Sequence, residues 1–431
     1  MVTIGNSNLP GVTTTVDSAA TTGVNVSAAA EVGIVGQAYL ADGTANANQV
    51  YEVRTPARAR TLFGRDSLLA EAIVDALIEG AYPVYAVATA ETAVTNEALS
   101  PVGTVGTLTE GPISENTGEV SFTVDGSDKT VRLIYDNPSD FVPAAGEVLL
   151  NPVTREYNLD ETVDTSADAD YTHYDYDAAV DALLSARAQT LDVVGILTEE
   201  PASVDYLHTQ VKAQETQGNL MLIEAGAPVY LTPASYTNTF DSSRIQLLYP
   251  TRAATGESVV GGMVGVRARL GIDESPMFKR LTSVKNLRLT LSKGEQVDLV
   301  QAKVVPLADE AAGARIVEDL TCVADDNAEE DSMRQGLHRL IVDYVTEVVN
   351  VASQRFIGRL HTQATRNALR SVISSELSQL LDLQSITGYT LTVEEVDAMT
   401  ASVDVGIDTV DPLRNIEASI LAGRIEGQDE A

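Results

Sequence analysis

Strand-patterned and helix-patterned segments alternate along most of the first 270 residues, and the alternation stops once, across residues 101–170. Val32-Gly33-Ile34-Val35-Gly36 is a short apolar run, as expected of a strand buried on both faces. Residues 68–78 put Leu69, Ile73 and Leu77 on one helical face, with Gly80 as the stop. Residues 82–88 form the next strand. Strand, helix and strand in that order specify a parallel sheet with helices packed on it. After the break the rhythm resumes: a helix at 176–186, a strand at 191–197, a helix at 204–217, strands at 220–223 and 245–250, and a helix at 258–270. Both halves therefore fit one doubly wound α/β sheet, with residues 31–100 and 171–281 as its two parts.

The interrupting block, residues 101–170, carries no helical period. Residues 120–124 and 130–135 read as strands joined by Asp125-Gly126-Ser127-Asp128, a hairpin signal. Residues 147–150 read as another strand and the acidic stretch 160–170 as a loop. The block is expected to be a β-rich insertion domain.

Residues 282–431 read as a C-terminal α+β domain. Ser332 with Gln335 has the spacing of a capping box. The helix that follows is expected to bury Leu337, Leu340, Ile341, Tyr344, Val345, Val348 and Val351. A second helix, 362–381, is expected to bury Leu369, Val372, Ile373, Leu377 and Leu380. Strand candidates follow at 389–393, 403–410 and 416–421; in the last, Ile416, Ala418 and Ile420 alternate with Glu417 and Ser419. Residues 1–30 are small and polar and cannot fold alone. Within them Val12, Thr13, Thr14, Thr15 and Val16 have β-branched character and would form a strand if a partner supplied an edge. Residues 1–30 and about 412–431 are thus expected to be extended arms.

Charge narrows the setting. The formal net charge is -34 in 431 residues, and 44% hydrophobic content argues against disorder as its source. Such a chain repels itself, nucleic acid and anionic membranes at low salt. At about 1 M salt the Debye length falls to about 3 Å and the repulsion is screened. The coherent reading is a protein working in concentrated salt, with a surface like that of haloarchaeal proteins; the competing reading is an ordinary acidic protein. No apolar run approaches the ~20 residues that span a bilayer, and the polar start at Met1 does not read as a secretory signal.

Chemistry is sparse. His173, His208, His338 and His361 lie in no metal-binding spacing, and the two on the C-terminal helices are expected to cap or face solvent. Cys322 stands alone, so neither an intrachain disulfide nor a cysteine-built zinc site can form, and burial as an inert thiol is expected. Gly33 with Gly36, and Gly261-Gly262 with Gly265, lack the order and acidic partner of a dinucleotide loop; close packing explains them as well. No catalytic, cofactor-binding or metal residue is assigned.

One electrostatic anomaly stands out. Between Ser332 and Val372 the charged residues are Arg334, Arg339, Arg355, Arg359, Arg366 and Arg370 against Asp343 and Glu347. On one unbroken helix, Arg355, Arg359, Arg366 and Arg370 would fall within about 60° of each other. The stripe is conditional on Gly358 not breaking that helix. It suits an acidic partner; the competing reading pairs these arginines with acids of the same subunit.

Several short blocks resemble the sheath subunit of contractile phage tails and related injection machines. They are Pro10-Gly11-Val12, Phe63-Gly64, the stretch from Tyr171 to Tyr176 leading into Ala178–Leu183, Thr282-Ser283-Val284, Asp298-Leu299 and residues 315–321, followed by two helices. The absence of tryptophan and the loose junction at 350–358 depart from that pattern. The resemblance implies a non-enzymatic subunit that polymerises as stacked hexameric rings around an inner tail tube protein and contracts. It implies further contacts with baseplate and tail terminator proteins, no direct nucleic acid and no membrane insertion. Its place would be a virion tail assembled in a host cytoplasm. Arms carrying Val12–Val16 and Ile416, Ala418 and Ile420 would add strands to neighbours, and Arg355, Arg359, Arg366 and Arg370 would face the tube. The alternatives are another self-assembling virion or surface-layer protein of a halophile, and a halophilic α/β enzyme.

Overall fold

The computed structural model describes residues 30–228, 230–272, 274–412 and 414, and the backbone of two short strands at 2–4 and 14–16. Those strands, β1 (Val2–Ile4) and β2 (Thr14–Val16), pair antiparallel. The core begins with β3 (Val32–Gly36), β4 (Val50–Val53), α1 (Pro56–Phe63), α2 (Leu68–Glu79) and β5 (Val84–Ala88). An inserted unit holds β6 (Ala90–Ala98), β7 (Val105–Thr107), β8 (Val120–Val124), β9 (Ser127–Leu133), β10 (Glu147–Leu150), β11 (Glu156–Leu159) and β12 (Ala167–Asp175). The core resumes with α3 (Tyr176–Arg187), β13 (Val193–Ile196), α4 (Pro201–Glu215), β14 (Leu222–Gly226), β15 (Ile245–Tyr249) and α5 (Val260–Leu270). It closes with β16 (Arg280–Leu281), α6 (Lys293–Gln301), β17 (Val305–Ala308) and β18 (Ala314–Ile316). Last come α7 (Gly336–Gln354), α8 (Gln363–Asp382), β19 (Ile386–Glu395) and β20 (Ala401–Thr409).

The core sheet has nine strands in the order β16-β18-β17-β15-β14-β13-β3-β5-β4. From β5 to β17 every pair is parallel, while the edge pairs β4–β5, β17–β18 and β18–β16 are antiparallel. Helices α1, α2 and α5 pack on one face, and α3, α4 and α6 on the other. Both faces are covered, so the central strands read as unbroken apolar runs. Ser67 caps α2 and Gly80, at φ 118°, ends it. The glycines of α5 serve close packing: a Cβ at Gly261 would lie 2.2 Å from the Ala72 carbonyl oxygen of α2.

The inserted unit is a seven-stranded sheet, β6-β12-β8-β9-β10-β11-β7, around Phe122, Tyr157 and Tyr171. Asp125 and Gly126, both at positive φ, turn β8 into β9, as a two-residue hairpin requires. The unit is longer than residues 101–170, because β6 and β12 pair from Ala90 to Asp175. Residues 167–170 belong to a strand rather than a loop: Ala167, Ala169 and Tyr171 alternate inward while the acids alternate out.

A domain boundary at 282 does not hold either. Strands β17 and β18 complete the nine-stranded sheet, so the separate C-terminal unit begins after Ile316. In that unit α7 and α8 pack against the two-stranded ribbon β19–β20. The α7 face buries Val345 and Val349, whereas Val351 is exposed. Ser332 and Gln335 form no capping box. Ser332 lies in a short 3-10 turn, and α7 starts at Gly336 with no side-chain cap from Gln335.

Candidate assembly surfaces

Buried arginines weld the units together. Arg267 on α5 reaches Asp319 at 2.7 Å and Glu224 of β14 at 3.3 Å, and also donates to Gln246 of β15. The Asp319 carboxylate in turn accepts the Leu337 amide at 3.1 Å, which caps α7 from a distant loop. This explains why α7 starts one turn later than the sequence suggests. Gly336 is needed there, because a Cβ would meet Arg267, Asp319 and Gln246 at 2.6–2.8 Å.

Farther along α7, Asp343 pairs with Arg339 and with Arg244, whose guanidinium also holds Glu215 of α4 at 2.5 Å. Burial works to raise the Glu215 carboxyl, but Arg244, Lys212 and Arg339 outweigh it and hold it at about 2. Glu224 is the opposite case. Burial lifts it to about 7 against the pull of Arg267, and one of its oxygens has no hydrogen-bond partner.

A third junction fixes the inserted unit. Arg252 holds Glu199 at 2.8 Å and Glu115 at 2.9 Å, and Arg288 pairs with Asp136. The Tyr135 ring lies 5.1 Å from the Arg252 guanidinium and 5.2 Å from that of Arg288. Of these arginines only Arg339 was noted from sequence, as one of the arginine-rich stretch; Arg244, Arg252, Arg267 and Arg288 were not. The available signal was a basic residue inside an apolar segment of a base-poor chain, as with Arg267 between Val266 and Leu270.

The expected arginine stripe is not a continuous helical face. Helix α7 ends at Gln354, Gly358 turns at φ 82°, and α8 starts at Gln363. Arg366 pairs with Glu395 of β19 at 2.8 Å, and Arg370 donates to the Val393 carbonyl at 3.4 Å. Arg355 and Arg359 lie in the exposed connection; Arg359 stacks on Phe356, and neither forms an ion pair among the described residues. So two of the four engage their own subunit and two are left over.

His338 is buried in the first turn of α7, contrary to the expectation of capping or exposure. Cys322 is buried, and desolvation pushes its thiol up to about 12. Thr14, Thr15 and Val16 do form a strand, but Val2–Ile4 of the same chain supplies its neighbour. Val12, Thr13, Ile416, Ala418 and Ile420 lie outside the described residues.

The ribbon β19–β20 is the least finished surface. Its residues are mostly half-buried or exposed, and each strand has one edge without a strand neighbour among the described residues. Nearby, Ile357, Leu360, Val396 and Met399 are exposed apolar side chains.

Solved structures share this architecture over nearly its whole length. The helical sheath of the anti-feeding prophage, in its contracted state, matches with a TM-score of 0.60 at 13% identity, covering 96% of this chain and 99% of that one. The chain has the contractile sheath fold. A sheath tail protein of Listeria innocua matches at 0.57 and 13% identity over 90% of this chain and 94% of its own. One of Desulfitobacterium hafniense matches at 0.56 and 11% identity over 89% and 97%. No family model and no curated protein matches the sequence. The likeness is therefore one of fold, with little sequence in common. No helix among the described residues is long and apolar enough to cross a membrane.

Proposed function

We propose that the chain is the structural subunit of a contractile sheath, polymerising helically around an inner tube and contracting to drive it through an envelope. The observation that carries this reading is the end-to-end correspondence with a helical sheath subunit, 96% of one chain on 99% of the other. The ribbon β19–β20 fits the role, because its two outer edges are suited to receive strands. The terminal segments around Val12–Val16 and around Ile416, Ala418 and Ile420 are the strands it would receive from neighbouring copies. Backbone hydrogen bonds would supply affinity and alternating side chains register. Such contacts are head-to-tail and build a helical tube.

Arg355 and Arg359 are the remaining tube-facing candidates. They would meet an acidic tube surface, with Arg366 and Arg370 supporting them from within the subunit. Baseplate and terminator proteins would cap the polymer's ends, and the site of action would be a virion tail or related particle.

The net charge of -34 supports a saline setting. Side-by-side packing concentrates repulsion, and screening over about 3 Å at molar salt relieves it. The test is negative-stain microscopy of concentrated protein across a salt series. Striated tubes at molar KCl that dissolve on dialysis to low salt are expected. Flat lattices would favour a surface-layer protein, and isolated particles under all conditions would end the sheath reading.

A further inference from the structure

Twenty consecutive residues, 275–294, carry no acid in a chain that has 62, and they hold five bases, including three of its six lysines. The stretch contains β16, an edge strand of the nine-stranded sheet, whose outer side has no strand neighbour among the described residues. The subunit itself satisfies part of this charge. Lys279 pairs with Glu274 and Arg288 with Asp136, while Arg280 and Arg315 share Glu310 at 2.7 and 3.1 Å. Lys285 and Lys293 are exposed and form no ion pair among the described residues.

Lys285 lies on the same surface as the Arg280–Glu310–Arg315 cluster. The Val284 carbonyl accepts the Ala314 amide at 3.2 Å, and the Leu287 amide donates to Asp309 at 3.2 Å. Residues 284–287 therefore run along the turn that joins β17 to β18. Arg280, Lys285 and Arg315 meet only two carboxylates there, Asp309 and Glu310, so the edge keeps an excess of positive charge.

Phe278 stands on this edge and is 54% exposed. Its φ is 61°, a left-handed conformation that bulky side chains rarely adopt. The residue is pinned in it: its amide donates to the Ile316 carbonyl at 2.8 Å, and the Arg315 guanidinium lies over the ring, 4.9 Å from its centroid. A ring held rigidly toward solvent in a disfavoured backbone conformation, with an arginine stacked on it, has the make-up of an interface anchor.

The fitting partner is an acidic surface with an apolar recess. At a net charge of -34, another copy of the chain presents such acidity. Toward the other end of the sheet, where α3 packs over β3 and β5, Asp175, Asp177 and Asp181 are exposed and form no ion pair among the described residues. Two basic edges repel each other, so the contact joins unlike surfaces, and such contacts build open chains of subunits. Nucleic acid and anionic lipid also attract bases, but the acidic body repels both.

We infer that the β16 edge, with Phe278 as anchor and Arg280, Lys285 and Arg315 around it, docks onto the acidic surface of a second copy of this chain.

This contact presupposes the self-association contained in the sheath reading. It is made by the folded body, apart from the ribbon and the terminal segments. In about 1 M salt, charge is screened within about 3 Å, so the ring supplies affinity and the bases select the face.

The test uses the full-length chain. Unlabelled and 15N-labelled copies are mixed at high concentration in KCl and treated with a carbodiimide, which joins lysine to a touching carboxylate. Mass spectrometry then separates links between copies from links within one. Lys285 should link between copies, whereas Lys129 and Lys303, held by Asp160 and Asp325, should link within one. Phe278→Gly suits a φ of 61° and should leave urea unfolding unchanged or improved. It should weaken self-association in sedimentation velocity by on the order of ten-fold. Lys285→Glu should weaken it in about 0.3 M KCl and hardly in about 2 M. Association without any link between copies at Lys285, or undiminished in Phe278→Gly, overturns the contact. Binding to phosphatidylglycerol vesicles that Phe278→Gly abolishes would assign the edge to lipid and overturn it as well. Tubes that survive Phe278→Gly unweakened strike this contact alone; flat lattices that depend on Phe278 strike the sheath reading alone.

Discussion

The nine-stranded sheet and the β19–β20 ribbon are built from equally β-prone sequence, yet they end in opposite conditions. Strands β3, β5 and β15 are buried at every residue, helices cover both faces, and charged side chains inside the sheet layer are tied into networks. The ribbon has two strands, only Ile386 and Val393 fully buried, and no second sheet to lie on. A two-stranded ribbon alone is marginal in water. One region is complete within a single chain, and the other is stabilised by α7 and α8 on one side and left open at its edges. Substitutions should therefore cost stability in the sheet and association in the ribbon.

The sharpest way to break this contrast is Arg267→Ala. It strands Asp319 and Glu224 without their cation, and removing one partner of a buried pair costs about 3–5 kcal/mol. Urea unfolding should show a loss of that size and little native protein on heating. A loss near zero would mean the network is not what holds α7 to the sheet.

Next in size is Glu224→Gln. The folded carboxyl sits near 7, above its solvated value of 4.5. Stability from the neutral acid is complete below about pH 4.5, is lost as pH rises to about 7, and stays lost above. Glutamine does not ionise, so the variant should gain about 3 kcal/mol over wild type at about pH 8 and nothing at about pH 4. Equal gains at both pH values would point to packing instead.

Within the ribbon, Val405→Ser should cost the lone chain only about 0.5–1 kcal/mol, because Val405 is half-buried. Sedimentation should nonetheless show weakened polymerisation. The smallest stability effect, within about 0.5 kcal/mol, is expected for Arg355→Glu with Arg359→Glu, since exposed charges contribute little. Their effect should appear in co-sedimentation with tube protein; unchanged co-sedimentation would remove them as tube contacts.

Much of the fold was legible in the sequence, for definite reasons. The period of Leu69, Ile73 and Leu77, with Gly80 as stop, marked α2, and the turn at Asp125 and Gly126 marked the β8–β9 hairpin. Helix α8 runs from Gln363 with Thr362 as its cap, close to the pattern of Leu369, Ile373 and Leu377. What was missed depended on distant partners. The start of α7 looked like a local capping box at Ser332, but Asp319 caps it across the fold. Short strands such as β17 and β18 carry too few residues to show a period, so that part of the sheet was assigned to the C-terminal domain. The arginines were visible as a cluster. Whether each met a carboxylate depended on β19, which brings Glu395 to Arg366 and leaves Arg355 and Arg359 outside its reach.

Gly336 gives α7 a mechanical meaning. With no side chain there, the helix is seated directly on the Arg267–Asp319 pair, and Asp343 fastens it again near its midpoint. A rod held at two points cannot pivot on its seat. A tug on the ribbon should travel down α7 into the central sheet and turn the whole body as one piece. In a stack of such bodies, the joints would bend while the blocks kept their shape.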